Sequence, residues 1–334
     1  MSTFFYPSVV STKAEFTNNK GIEFRVGDKT YCVGGLAMKQ RDWVRPLNAK
    51  PDEAEWQALL YSALLQIPGR EFGIVLGCPH KLRTVFADRL PIGEISLELP
   101  NGSFEKKTIT KISVVPECAG HALAYKEFLA NYESVIVISV GYGTVEVGAA
   151  DSGGVIQDSL HSLECGLHLV SSKLQSELFQ LGHERTDITE KQIHHWDEIL
   201  KQIVDGSEDL VIRRRGQTPL THSDLRSLSD QLLRSYTERL IYELSSYFEQ
   251  RYHQRHPVVL TGGGVLHPIV RETLTGYLES QKYEVLETPP RELLLSSAAL
   301  GYKSLADHLY KDLSKTVRRV GIDIGNNTLV AVAD

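Results

Sequence analysis

The chain has 334 residues, 42% hydrophobic and 23% charged, an ordinary globular profile with length for about two domains. Its net charge of −6, with acids and bases interspersed, leaves no electrostatic footprint for nucleic acid, and no apolar stretch reaches the ~18 residues a membrane span needs. Cys32, Cys78, Cys118 and Cys165 are scattered without a CxxC pair, and the start Met1-Ser2-Thr3-Phe4 lacks a basic, apolar leader, so a reducing, cytoplasmic setting is expected, with no zinc site or disulfide scaffold.

In chain order, Phe4, Phe5, Tyr6, Val9 and Val10 read as a strand interrupted by Pro7. Residues 22–33 form a hairpin pattern around Gly27-Asp28. A helix is expected from about Asp52 to Leu65, then a short apolar run, Glu71 to Leu76, that fits a buried strand. Strands near 94–99 and 108–115 are separated by the turn Pro100-Asn101-Gly102, and a helix follows over about 118–131. The runs Val135–Ser139 and Thr144–Ala149 flank a Gly-Tyr-Gly turn. Further helices are expected at about 166–180, 189–204, 223–252 and 291–315, with Asp187-x-x-Glu190 and Thr221-x-x-Asp224 as capped starts. Val258-Val259-Leu260 is another buried strand, leading through Thr261-Gly262-Gly263-Gly264 to an apparent helix. The last element is Val320 to Gly325, a turn, and Leu329 to Ala333.

This alternation of strands and helices indicates an α/β fold with mixed sheets. One long-range echo stands out. Residues 136–149 and 320–333 both run apolar strand, small polar residue, Gly, tight turn with Thr, apolar strand, which suggests two related half-domains.

Glycine-rich turns after strands let backbone N–H groups converge on an anion. Three stretches have that form: Asp323-Ile-Gly325-Asn326-Asn327-Thr328, Ser139-Val-Gly141-Tyr142-Gly143-Thr144, and Thr261-Gly262-Gly263-Gly264. A carboxylate beside such a turn, here Asp323, suits the water shell of a bound Mg²⁺. Each turn alone fits an ordinary tight connection equally well; the three together, two of them matched, argue for a shared phosphate site.

These turns resemble the phosphate 1, phosphate 2 and adenosine motifs of the actin–Hsp70–sugar kinase superfamily, and within it the ParM-like actins of bacteria and archaea. Val320-Gly-Ile-Asp-Ile-Gly325 is similar to the phosphate 1 strand and Leu260-Thr-Gly-Gly-Gly264 to the adenosine motif. Phe5-Tyr-Pro-Ser8, Tyr31-Cys-Val-Gly-Gly35, Leu76-Gly-Cys-Pro79 and Ser297-Ala-Ala-Leu-Gly-Tyr302 resemble further short elements of that group, so the likeness spans nearly the whole chain. Phosphate 1 normally opens such chains and here comes last, which implies a circular permutation with Lys311–Arg319 as the new connection.

The resemblance implies an actin-like (ribonuclease H-like) duplicated fold with a nucleotide cleft between its halves. Domain I would comprise residues 1–150 plus 291–334, with a small subdomain at about 20–65, and domain II residues 151–290, with a small subdomain at about 181–222. It implies binding of ATP/ADP and Mg²⁺ by Asp323, Gly325, Asn326, Asn327, Thr328, Gly141, Tyr142, Gly143, Thr144, Gly262, Gly263 and Gly264. Asp323 would act on the metal through water, with Glu146 as a second metal residue. Glu117, at the start of the connecting helix, would orient or deprotonate the attacking water. Ser139 stands where the phosphate 2 aspartate is usual, so slow hydrolysis is expected. The partners implied are other copies of the chain in a filament and an adaptor protein, with no direct nucleic acid and no membrane, in plasmid or DNA segregation. The alternative is a nucleotide-dependent switch or scaffold that does not polymerise. His194-His195, adjacent on a helix and so pointing apart, are not read as a metal site, Arg213-Arg214-Arg215 is read as a solvated turn, and the apolar stripe of the 223–252 helix as core packing.

Overall fold

The structure is a computed structural model that describes residues 1–17, 19–40, 42–46, 50–128, 130–180, 200, 202–203, 220–251, 256–325 and 328–334. The opening strands β1 (Ser2–Pro7) and β2 (Val10–Lys13) are split at Pro7 as the sequence suggests. The hairpin β3 (Ile22–Val26) and β4 (Lys29–Val33) follows, then α1 (Gly35–Met38) and α2 (Ala54–Gln66). Next come β5 (Glu71–Cys78), α3 (Arg83–Ala87), β6 (Gly93–Glu98), β7 (Phe104–Pro116) and α4 (Glu117–Phe128). The hairpin β8 (Ser134–Val140) and β9 (Val145–Asp151), short strands β10 (Gly154–Val155) and β11 (His161–Leu163), and α5 (His168–Gln180) complete the middle of the chain. Last are α6 (His222–Arg251), β12 (Val258–Thr261), α7 (Pro268–Ser280), α8 (Arg291–Leu309), β13 (Val317–Ile324) and β14 (Thr328–Ala333).

Among the described residues the strands form two mixed sheets. The larger has the order β1-β14-β13-β5-β7-β6-β3-β4-β2, and the smaller β10-β9-β8-β12 with β11 also on β9. Each sheet contains the same local unit. The hairpin β13–β14 lies parallel to β5, and the hairpin β8–β9 lies parallel to β12. The echo read between residues 136–149 and 320–333 is therefore an echo of topology as well. At one side of the larger sheet β14 also pairs antiparallel with β1, Ala333 opposite Ser2.

Strand alternation divides each sheet between two helical layers. Ile74, Leu76, Val320 and Ile322 face Leu60 and Leu64 of α2, whereas Val75 meets Ala298 and Tyr302 of α8 on the other face. In the smaller sheet, Val135 and Val137 meet Ala122 and Tyr125 of α4, while Ile136 and Ile138 share a core with Leu174, Leu240 and Leu274 of α5, α6 and α7. Helices α4 and α8 thus lie on their respective sheets and pack against each other, and they cross at glycines. A Cβ on Gly301 would sit 1.9 Å from the Gly120 carbonyl oxygen. Next to the crossing, the Tyr302 hydroxyl donates to the Glu117 carbonyl at 3.1 Å. The buried Lys303 ammonium bonds Asp307 one turn on and reaches Asp334 beyond β14 at 2.7 Å, tying that strand's end to α8.

Two boundaries differ from expectation. The division at 150/151 falls inside β9, and the whole 134–151 hairpin is bonded into the sheet of β12, so these residues belong with the second half. The helix from 291 ends at Leu309 rather than near 315, where Tyr310 turns inward to donate to the Ile74 carbonyl at 3.0 Å. The expected 189–204 helix, the start at Asp187, the small subdomain at 181–222, His194-His195 and Arg213–Arg215 lie outside the described residues, apart from positions 200, 202–203 and 220–222.

The Thr221 start of α6 forms a reciprocal capping box. The Asp224 carboxylate accepts from the Thr221 N–H at 2.9 Å, and the Asp224 N–H reaches Thr221 Oγ1 at 3.4 Å. Thr221→Ala is expected to destabilise the protein by about 1 kcal/mol in urea unfolding; an unchanged midpoint would remove the cap from the helix's stability.

Candidate functional site

Strands β13, β8 and β12 end on the same side of the molecule, and β7 leads there directly into α4. In open α/β sheets such strand ends are where ligands bind. Here they surround a cavity of about 380 Å³, within the usual range for small-molecule sites. Its walls include Asp323, Gly325 and Thr328 from one hairpin, Gly141, Tyr142, Gly143 and Thr144 from the other, and Gly262, Gly263 and Gly264 after β12. Glu117 and Glu146 line it as well. Asn326 and Asn327 lie outside the described residues.

The two hairpin turns have the same construction. A Cβ on Gly141 would lie 2.8 Å from the Thr144 carbonyl oxygen, and one on Gly325 would lie 2.9 Å from that of Thr328. In the β8–β9 turn the carbonyls of Gly141, Tyr142 and Gly143 are each bonded to an N–H of the 166–168 segment, at 3.1, 2.9 and 3.3 Å. Because a trans peptide points its C=O and N–H in opposite directions, the N–H groups of Tyr142, Gly143 and Thr144 face away from that segment. A cavity wall made of N–H edges is suited to an anion. Gly262 holds φ 82°, and a Cβ there would strike the Val140 carbonyl at 2.6 Å, so the third turn packs directly against the second.

Three carboxyls line the same cavity. Glu117 sits in the first turn of α4 and accepts weakly from Thr144 Oγ1 at 3.4 Å. Burial pushes its carboxyl up to about 7. Glu146, only 3% exposed, accepts from Ser162 Oγ at 2.6 Å, while its Oε2 has no hydrogen-bond partner. Burial, and then the nearby charge of Glu117, hold Glu146 and Asp323 well above the usual carboxylate range. Glu117 and Asp323 keep some solvent contact through the cavity although protein surrounds them. A buried cluster of acids with an orphaned oxygen is costly when ionised, and a cation beside it would relieve that cost. Among the described residues no three His, Cys, Asp or Glu side chains converge as a direct metal cage, so the residues fit a cation held largely through water and the oxygens of its ligand.

The cavity also brings in residues the sequence reading passed over. His121 lies one helical turn after Glu117, and that i, i+4 spacing on a helix was the signal for it. Leu266, His267, Arg291 and Leu295 form the other end, around the start of α8. They are separated in sequence and meet only through the packing of α8 against the turn after β12. Ser139 lies on the floor, opposite Glu146 in the hairpin register.

No protein-family model matches the chain, and no curated protein matches it. Solved structures do. An archaeal actin homolog, Ta0583, in complex with ADP has a TM-score of 0.65 at 17% identity over 91% of this chain and 92% of that one. A ParM subunit from a 15-stranded filament of Clostridium botulinum has a TM-score of 0.65 at 17% identity, over 89% and 90% of the two chains. Bacillus thuringiensis ParM with ATP has a TM-score of 0.55 at 16% identity, over 92% of each. The fold is actin-like, with mixed sheets flanked by helices.

Proposed function

We propose that the cavity binds ATP and that the chain is a cytoplasmic actin-like protein that assembles into nucleotide-dependent filaments and hydrolyses ATP slowly. The observation that carries this reading is the convergence of both matched hairpin turns and the Gly262–Gly264 turn on one cavity. In this reading the phosphates lie between the two hairpins and take the backbone donors of Tyr142, Gly143 and Thr144. The base and ribose lie toward His267, Arg291 and Leu295. Asp323, through water, and Glu146 are the side chains that would hold a Mg²⁺, which when bound supplies positive charge against the phosphates. Glu117 is the residue placed to orient the attacking water and take its proton. Its raised affinity for a proton suits it to act as a base near neutral pH.

We further read the chain as a circular permutation of the ParM-like order. The β13–β14 hairpin follows every other element in sequence, yet β14 pairs with β1 as it would in a chain where the three strands were consecutive. Support for self-association is the likeness to a filament-forming ParM. Copies would associate head to tail in a contact that does not close, and the role would be plasmid or DNA segregation through an adaptor protein. The second reading, a nucleotide-dependent switch that does not polymerise, draws on the uncharged Ser139 at the phosphate 2 strand.

Calorimetric titration with ATP and Mg²⁺, followed by light scattering over a range of protein concentrations, tests both readings. Saturable ATP binding with scattering that rises above a threshold concentration is expected. Binding without any rise in scattering would transfer the protein to the switch reading, and no nucleotide binding at all would end both.

A further inference from the structure

We infer that His121 is a positioning residue that turns the Ser139 hydroxyl outward, so that Ser139 donates its proton to an anionic oxygen held in the cavity. The inference deepens the nucleotide reading and rests on it.

His121 is buried and both of its ring nitrogens are engaged. Nε2 lies 3.0 Å from Ser139 Oγ and Nδ1 lies 2.7 Å from Ser297 Oγ. Burial drives its pKa down to about 4, so at neutral pH the ring carries one proton, and one nitrogen donates while the other accepts. The distances indicate which. Hydrogen bonds accepted by oxygen are typically about 2.7–2.8 Å when a hydroxyl donates and about 2.9–3.0 Å when an N–H donates. The 3.0 Å contact matches Nε2–H donating to Ser139, and we assign the shorter 2.7 Å contact to Ser297 donating to Nδ1.

The groups behind Ser297 agree with that direction. Ser297 Oγ also has the hydroxyls of Thr261, at 3.4 Å, and of Tyr125 as neighbours, and its shortest contact is the one to His121. Thr261 Oγ1 lies 2.9 Å from the Tyr125 phenol, the stronger donor of the two, and can give its own proton to the Leu294 carbonyl at 3.4 Å. Each proton is then used once, and the relay runs from the interior of the α4–α8 contact toward the cavity.

At its end Ser139 accepts from His121 and retains a free O–H. Glu146 stands opposite Ser139 in the hairpin but does not take that proton, since Glu146 Oε1 is bonded to Ser162 and Oε2 has no partner. The remaining neighbour is the cavity, where the adjacent turn presents N–H groups. Ser139 adds one more donor to that anion-binding wall. It is not a substitute acceptor for metal-bound water.

Two measurements test this. Nitrogen-15 histidine spectra of the nucleotide-free protein should show His121 protonated at Nε2 and bare at Nδ1; the opposite tautomer, or a doubly protonated ring at pH 7, would overturn the inference. ATP titrations should show Ser139→Ala weakening affinity by about 10-fold or more, the usual scale for one hydrogen bond to a charged group. His121→Ala should lose a similar factor, and His121→Gln, whose amide can still donate to Ser139, should stay within about 3-fold of the parent. Ser139→Ala binding ATP as tightly as the parent would overturn the assignment even if His121→Ala proved unstable. Failure of the parent protein to bind any nucleotide would remove the nucleotide reading instead, and the tautomer would still decide the direction of the relay.

Discussion

Replacing Glu117 with glutamine should lower the rate of phosphate release by about 100-fold or more, the usual contribution of a positioned general base, while ATP still binds within a few-fold of the parent. The amide keeps the size of the side chain and can still accept from Thr144, but it cannot take a proton from water. The same change should stabilise the nucleotide-free protein, by an amount that grows with pH. Burial raises the folded-state carboxyl from its ordinary value to about 7, so the group favours folding while protonated, below its unfolded pKa. That contribution is lost as pH rises through 7. The full shift corresponds to about 3 kcal/mol, and the residual solvent contact through the cavity brings the expected gain to about 1–3 kcal/mol at pH 8. Melting temperatures of parent and variant should therefore nearly coincide at pH 4 and separate by pH 8, the variant higher. Unchanged phosphate release would remove Glu117 from the chemistry, and a separation that does not grow with pH would mean that burial is not what strains its ionised form.

The largest loss of stability is expected from Gly301→Ala. Its methyl would have to occupy a position 1.9 Å from the Gly120 backbone oxygen, and neither partner is a flexible side chain that could yield. Helices α4 and α8 would have to separate at the point where the two halves meet. Overpacking of this kind costs about 3 kcal/mol, or roughly 4 °C in melting temperature for a chain of this size. Gly276 is the control. It lies within α7 with nothing inside 4 Å of a Cβ, so Gly276→Ala should be neutral or stabilise by about 0.5–1 kcal/mol through helix propensity. Equal effects at both sites would mean that the helix crossing tolerates separation.

The turns were legible in the sequence because their chemistry needs a particular residue. Only glycine lets Gly141 and Gly325 approach the carbonyls three residues on, so the pattern of strand, glycine and threonine announces the turn without any tertiary information. The buried strands were legible for a similar reason, since runs such as Val135–Ile138 have no other stable placement. What was not legible depended on distant packing. The sequence pattern does not link the 134–151 hairpin to the sheet it joins, because its neighbour β12 lies more than a hundred residues further along the chain. The end of α8 was overrun because Tyr310-Lys311-Asp312-Leu313 contains neither glycine nor proline, and the signal that stops the helix is the Tyr310 hydroxyl reaching across to β5 and Ser113. His121 carried only the faint hint of its spacing from Glu117. Its importance comes from Ser139 and Ser297, which reach it from different elements.

The position of β13 bears on how the protein assembles as it is made. This strand lies between β5 and β14, well inside the larger sheet, and β14 alone joins β1 to the rest of it. On a ribosome, β1 emerges more than three hundred residues before its partner. The smaller sheet has all its strands once residue 261 is out, so it can close while the larger one still exposes two open strand edges. Such edges recruit other chains. Translation of this message is therefore expected to pass through a long interval in which one half is finished and the other depends on chaperones to shield it.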